Sequence, residues 1–309
     1  MRALVTGATG FIGNYLVLEL RRRGWDVVCM TRRPVETTDL GIRCVQADLL
    51  QPAQLDAIAS AAGPMDSVFH FAALLPAADT SVEQYLVANC VATSRLLELA
   101  ERMGARSFVY ASSLPVIGTP EHLPITEEHS VRPKHPYHLS KLCGEMACEM
   151  ARRMDNRNVS SLRITSPYGA GMTANSVLPR FVSKALQSEE VQWMGSGSRA
   201  QNFVHVMDVV AAALLAAETD RPGVYNVGGG ETTSMQELAR LITKLTPGTQ
   251  SKVSASGKPD PEESCRWEVD LTRAAAALGY RPKVPLEQGL SEYIACMQSR
   301  QETARRWNT

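Results

Sequence analysis

Short runs of β-branched and aliphatic residues alternate along this chain with longer stretches whose apolar positions recur at helical spacing. Ala3-Leu4-Val5 and the runs 25–30, 43–47, 67–73 and 107–111 predict buried strands, being apolar and too short for helices. Segments 14–20, 54–62, 82–103 and 137–154 carry the amphipathic helical pattern. This alternation predicts an α/β fold, a doubly wound parallel sheet with helices on both faces. Beyond residue 166 the pattern is less regular, with a helix predicted over 175–186 and a loop over 195–202. No repeat, low-complexity tract or charge block interrupts the chain.

The first predicted strand runs straight into Thr6-Gly7-Ala8-Thr9-Gly10-Phe11-Ile12-Gly13 and then a helix. A glycine turn between a strand and a helix N-terminus suits a dinucleotide. Gly7 permits a sharp turn, Gly10 lets backbone approach a pyrophosphate, and Gly13 lets helix pack on strand. Free N–H groups at the helix start then face the anion. The second strand ends in Thr31-Arg32-Arg33-Pro34, with no acid to accept from a ribose 2′-hydroxyl. Two guanidinium groups there favour NADP, with NAD as the alternative. Asp48-Leu49 closes the third strand where adenine is expected, and the small Ala72 and Ala73 leave room for a cofactor across the fourth.

Bulk properties narrow the partners. The 309 residues, 33.7 kDa, suffice for one large or two smaller domains. Lys plus Arg and Asp plus Glu number 32 each, which gives no reason to expect nucleic acid or an anionic membrane as partner. No apolar run approaches the ~20 residues that span a bilayer. Met1-Arg2-Ala3 leads directly into strand, leaving no room for a signal peptide. The seven scattered cysteines fit neither a disulfide framework nor a zinc site, so reduced thiols in the cytoplasm and no metal are expected.

The candidate chemistry lies mid-chain. Ser112-Ser113 ends the fifth strand, and Tyr137-His138-Leu139-Ser140-Lys141 opens a helix. Tyr137 and Lys141, four apart, share one helical face. A tyrosine titrating near ~10 is a poor base at neutral pH. A neighbouring ammonium, helped by an oxidised nicotinamide, is expected to favour the phenolate. A serine hydroxyl at the strand end can hold the reacting oxygen. His70, inside an apolar strand, reads as a core residue rather than a base.

Taken together, these segments resemble the extended short-chain dehydrogenase/reductases, in their sugar-nucleotide epimerase/dehydratase branch. Leu162 to Gly169, Phe203 to Asp208, Tyr225 to Gly230 and Leu278 to Pro282 extend the resemblance over nearly the whole chain. It implies a Rossmann-type domain over 1–165, with 203–228 returning to it, and a smaller α/β C-terminal substrate lobe over 166–309. It also implies roles: Phe11 and Ile12 on the pyrophosphate, Asp48 and Leu49 flanking adenine, and Phe71, Ala72, Ala73 and Leu74 lining the cofactor. Asn89 would hold active-site backbone, and Thr165 would border the nicotinamide. Ser113 would orient the substrate oxygen, Tyr137 act as acid/base, and Lys141 bind the ribose and tune the tyrosine. Ser166, Asn175, Arg199, Gln201 and Arg266 are candidate substrate residues. His205 is expected to be structural.

Departures from that pattern matter as much. Leu114 and Pro115 stand where dehydratase members carry an Asp-Glu pair, which argues against a 4,6-dehydratase, and Pro115 also replaces the cysteine of combined epimerase/reductases. Gln201 stands where relatives place a diphosphate arginine, Ser166 where they often have Asn, and Lys258 near a late arginine. The first expectation is therefore a ketoreductase of a nucleoside-diphosphate sugar. A 4-epimerase with tightly held NAD is the alternative. A reductase of a non-nucleotide carbonyl compound and a non-catalytic cofactor-binding protein are further readings. Helices 82–103 and 137–154 are where relatives dimerise, so a homodimer is expected.

Overall fold

The computed structural model describes residues 1–34, 42–155, 157–174 and 176–307, with side chains excepted at 155 and 300–307. The order begins β1 (Arg2–Thr6), α1 (Phe11–Arg22), β2 (Asp26–Thr31), β3 (Arg43–Gln46), α2 (Pro52–Ala62) and β4 (Ser67–His70). Then come α3 (Val82–Tyr85), a π-helical turn (Leu86–Val91), α4 (Ala92–Arg102), β5 (Ser107–Ser113), α5 (Pro136–Asp155) and β6 (Asn158–Ile164). The remainder runs β7 (Ser166–Tyr168), α6 (Val177–Leu186), β8 (Val191–Trp193), β9 (Ala200–His205), α7 (Val206–Glu218) and β10 (Val224–Val227). It closes with β11 (Thr232–Ser234), α8 (Met235–Leu245), β12 (Val253–Ala255), α9 (Thr272–Leu278) and α10 (Leu286–Trp307).

Seven strands form one parallel sheet in the order β10-β6-β5-β4-β1-β2-β3. The fold is Rossmann-like, as the strand–helix alternation predicts. Strand runs such as Leu4-Val5 and Val68-Phe69 are almost wholly buried because helices cover both faces. On one face α1 sets Leu16, Val17 and Leu20 against the alanine-rich α7, whose small side chains permit close approach. On the other, α2, α4 and α5 cover Leu4, Val28, Val68 and Phe108. The chain turns from β1 toward β2 and β3, then crosses to β4 on the other side. Beyond the carboxyl ends of β1 and β4 this reversal opens a crevice.

Several boundaries differ from the sequence expectation. The 82–103 helix is interrupted by the π-turn, a widening often found at functional sites. The strand expected to run to 73 stops at His70, leaving 71–75 as irregular backbone at the crevice. The helix predicted from 175 starts at Val177, and Asn175 lies outside the described residues. The predicted 195–202 loop ends early, since Ala200, Gln201 and Asn202 already belong to β9. Residues 203–205 do not return to the large sheet: β9 pairs with β7 and β11 in a separate three-stranded sheet. The return is made by α7 and β10, joined by Ala274, Leu278 and Tyr280. A distinct core of Tyr168, Phe181, Trp193, Leu238 and Leu290 fills the C-terminal part.

Candidate active site

A cavity of about 950 Å³ lies between the carboxyl edge of the large sheet and the small sheet with α6. That volume is in the upper range for ligand sites. At its floor, Gly7 has φ +74°, and a Cβ there would stand 2.5 Å from Ala72 N and Phe71 C. A Cβ on Gly13 would overlap Gly7 O, so the turn and α1 pack backbone on backbone. Gly10 is different: its Cβ would meet only Gly7 O at 3.1 Å. Its open side, with Phe11, Ile12 and Gly13, lines the cavity at the N-terminus of α1. This cradle, lacking a Cβ at Gly7, Gly10 and Gly13 and lying at the N-terminus of α1, fits a dinucleotide pyrophosphate. Arg32, Asp48, Leu49, Phe71, Ala72, Ala73, Leu74 and Thr165 line the same cavity. Arg33 is exposed and outside the lining; what it offers Thr31 is its backbone carbonyl, at 2.9 Å.

Asn89 is buried behind the cavity rather than in its wall. Its Oδ1 accepts from Leu74 N at 2.7 Å, and its Nδ2 donates to Leu74 O at 3.1 Å and Ser140 Oγ at 2.9 Å. Ser140 Oγ donates in turn to Tyr137 O at 2.7 Å. The π-turn thus clamps the irregular 71–75 backbone to the first turn of α5. His70 is a core residue as expected: its ring lies 2.7 Å from Thr6 Oγ1 and 3.0 Å from Thr93 Oγ1. Thr93 spends its proton on Asn89 O, so Nε2 carries the ring proton and Nδ1 accepts from Thr6. Burial, then the Lys141 charge, push His70 down to about 3 and keep it neutral. His205 caps α7, accepting from Met207 N at 3.4 Å.

Ser113, Tyr137 and Lys141 all line the cavity. Neither the Ser113 hydroxyl nor the Tyr137 phenol has a hydrogen-bond partner among the described residues, so both are open to a bound molecule. Lys141 Nζ donates to Ala111 O at 2.6 Å and lies 6.0 Å from the Tyr137 ring centre. One expectation is reversed here. Burial, followed by the neighbouring Tyr85, pushes the Tyr137 phenol up to about 12 rather than down. Burial also pushes Lys141 down to about 8. With the phenol desolvated and the Lys141 Nζ 6.0 Å from its ring centre, the ammonium does not by itself outweigh burial.

In the lobe, Ser166, Arg199 and Gln201 line the cavity, whereas Arg266 is exposed and outside the lining. Arg199 is already engaged, its Nε 2.9 Å from Asp260 and its Nη1 3.1 Å from Glu262. The sequence reading passed over Arg180, which lines the cavity from α6 and makes no ion pair among the described residues. A lone charge in the apolar run Val177-Leu178-Pro179-Arg180-Phe181-Val182 was the available signal. It also passed over His138, which lines the cavity with its ring 5.3 Å from that of Tyr137. Asn202, in a stretch whose sequence predicts a loop, lies in β9. Its side chain accepts from Gly229 N at 2.7 Å and donates to Gly229 O and Glu231 O, holding the turn after β10.

Residues 3–228 match the model of the NAD dependent epimerase/dehydratase family. The chain belongs to this family. It is an enzyme whose homologues are sugar-nucleotide epimerases, dehydratases and reductases. The dTDP-4-dehydro-6-deoxy-D-allose reductase of Streptomyces bikiniensis is 30% identical over 308 residues, 94% of each chain. The UDP-glucose 4-epimerase of Thermotoga maritima, solved with UDP-glucose, superposes with a TM-score of 0.85 at 26% identity, over 97% of this chain and 100% of that one. The Thermus thermophilus UDP-glucose 4-epimerase, solved with NAD, gives 0.82 at 26% identity, over 96% and 99%. No helix among the described residues is long and apolar enough to cross a membrane, and no metal-ligand cluster occurs among them.

Proposed function

We propose that the enzyme is an NADP-dependent ketoreductase of a nucleoside-diphosphate sugar. The observation that carries this is the convergence of Ser113, Tyr137 and Lys141 on the cavity whose floor is the glycine cradle. A nicotinamide bound there supplies the hydride. Ser113 Oγ holds the keto oxygen, and Tyr137, kept protonated by burial, gives its proton to that oxygen as charge develops. Lys141 places a positive charge beside the resulting phenolate and is a partner for the ribose hydroxyls. Leu114 is buried and Pro115 bears no transferable proton, so neither can remove or deliver one for loss of water. On the substrate-lobe side of the cavity Arg180 makes no ion pair among the described residues and is available to a diphosphate, whereas Arg199 already faces two carboxylates.

Calorimetric titration of the purified enzyme with NADPH, NADH, UDP and dTDP tests this reading. Tighter NADPH than NADH is expected, with Arg32→Ala erasing the preference and Arg180→Ala weakening only the nucleoside diphosphates. Loss of one charge-assisted contact corresponds to roughly ten- to 100-fold in Kd. Equal affinity for the two reduced cofactors in the unaltered enzyme would remove the NADP assignment. Likeness to the two 4-epimerases favours one second reading, in which the same residues return hydride to the opposite face. Cofactor retained through gel filtration with no net consumption selects it.

The enzyme is further proposed to be a cytoplasmic homodimer. All seven cysteines are free thiols, which suits a reducing compartment. Met146, Met150 and Met154 form an exposed apolar stripe on α5, 60 to 75% accessible, with Val87 and Val91 exposed on the neighbouring π-turn. Burial of that stripe against a second copy is favourable at the ordinary rate per area. Sedimentation equilibrium is expected to return twice 33.7 kDa. A mass of one chain overturns the dimer.

A further inference from the structure

One turn beyond Lys141 on α5, a carboxylate and a guanidinium are buried together. Glu145 and Arg163 have side chains only 4% and 6% exposed, with Arg163 Nη2 2.9 Å from Glu145 Oε2 and Nε 3.1 Å from Oε1. Ser112 Oγ donates to Glu145 Oε1 at 2.5 Å. Arg163 Nη1 donates to Glu127 O at 3.0 Å, and Glu127 Oε1 accepts from Asn226 N at 2.8 Å. Ser112 and Arg163 are register partners on β5 and β6. One carboxylate therefore joins the strand that presents Ser113, the helix that presents Tyr137 and Lys141, and the strand that leads to Thr165.

Buried ion pairs are costly to desolvate, and apolar residues of similar volume often serve stability as well. The placement of this pair gives it another use. Tyr137, Lys141 and Glu145 follow one another at four-residue steps and share a helical face. The groups around Lys141 are Tyr137, Glu145 and Cys148 on α5, Tyr110 on β5 with its ring centre 4.8 Å from Nζ, and His70 on β4. Asn89 and Cys90 face α5 from the π-turn. Burial pushes Lys141 down to about 8, while Cys148 and Glu145 draw it back up. Burial keeps the Cys148 thiol itself protonated, pushed up to about 12, and keeps His70 and Tyr110 uncharged. Glu145 is then the one of these groups that supplies negative charge at neutral pH. Arg163, on its far side, pairs with that carboxylate and holds it in place.

We propose that Glu145, locked between Arg163 and Ser112, is the positioning residue that keeps Lys141 cationic and aimed beside Tyr137. This rests on the reading of Tyr137 and Lys141 as the acting pair. The test is side-chain NMR of ¹³C-labelled lysine across a pH series, with the Lys141 signal assigned by Lys141→Met. Glu145→Gln is expected to move the Lys141 midpoint down by on the order of one pH unit. The alkaline limb of kcat moves with it and KM is unchanged. Glu145→Gln leaves Arg163 uncompensated, so its Tm also falls. Glu145→Gln combined with Arg163→Gln removes both charges; it is expected to recover Tm and to keep the lowered midpoint.

A midpoint unmoved in either folded variant overturns the proposal. Loss of folding in both, with an unmoved midpoint in Ser112→Ala, overturns it in favour of a purely structural pair. Tyr137→Phe, assayed alongside with UDP-glucose and NADP or NAD, separates the two claims. Turnover that survives Tyr137→Phe removes the catalytic reading. Turnover lost there, with the Lys141 midpoint unmoved in Glu145→Gln, removes only the role of Glu145.

Discussion

Tyr137→Phe is expected to lower kcat by roughly 100- to 10,000-fold, the span of a general acid–base contribution. Cofactor and nucleoside diphosphate should bind almost as before. The substitution removes one oxygen that has no protein partner among the described residues. It leaves the ring where it packs edge-on, 6.2 Å from Tyr85 and 5.3 Å from His138. The remaining activity should also lose its pH dependence. In the unaltered enzyme the phenol, pushed up to about 12, stays protonated through the neutral range, which is the form a carbonyl reduction needs. Lys141, at about 8, titrates first as pH rises. Its charge then no longer offsets the nascent phenolate, so kcat falls on the alkaline side. Steady-state rates of both proteins between pH 6 and 10 (about two units either side of that midpoint) check this. If Tyr137→Phe retains a tenth of kcat, proton transfer at this residue is not part of turnover.

Gly7→Ala is expected to destabilise the fold by roughly 2–5 kcal/mol and to abolish dinucleotide binding. At φ +74° an L-residue is strained, and the added methyl would press on the backbone of Phe71 and Ala72. Those atoms sit where β1 and β4 diverge, so they cannot yield without opening the crevice. Gly10→Ala separates the two effects. Its φ of −82° suits any residue, and its Cβ would meet only Gly7 O, at 3.1 Å. It should keep nearly the native Tm yet bind the cofactor weakly, because its methyl occupies the pyrophosphate's approach. Thermal unfolding with and without added NADPH or NAD distinguishes them, since a ligand bound only to the native state raises Tm. A Gly10→Ala protein with unaltered ligand-induced stabilisation would mean that the pyrophosphate does not lie on this turn.

Local chemistry makes part of this molecule legible in its sequence. Strand–glycine–helix at 3–20 is contiguous, and Tyr137 and Lys141 are one helical turn apart, so the chain itself holds each set together. His70 was readable as a core residue because its neighbours are apolar. The arginines were not readable in this way. Arg32, Arg33, Arg199 and Arg266 look equally available in sequence, yet Arg32 lines the cavity with no ion pair among the described residues, Arg33 and Arg266 lie outside its lining, and Arg199 faces Asp260 and Glu262 from far along the chain. A long flexible cation takes whichever carboxylate the fold brings near it, and residue spacing does not encode that.

By itself the sequence determined the parallel sheet, the glycine cradle at its switch point, and the tyrosine and lysine that share a helical face. Each follows from periodicity or from steric rules acting over a few residues. The tertiary structure alone decided which charges stay free, how far burial moves the phenol and the ammonium, and that Glu145 and Arg163 meet behind them. Those outcomes depend on desolvation and on contacts between strands and helices far apart in the chain, where the free energy of a charge is set by its surroundings rather than by its neighbours in sequence.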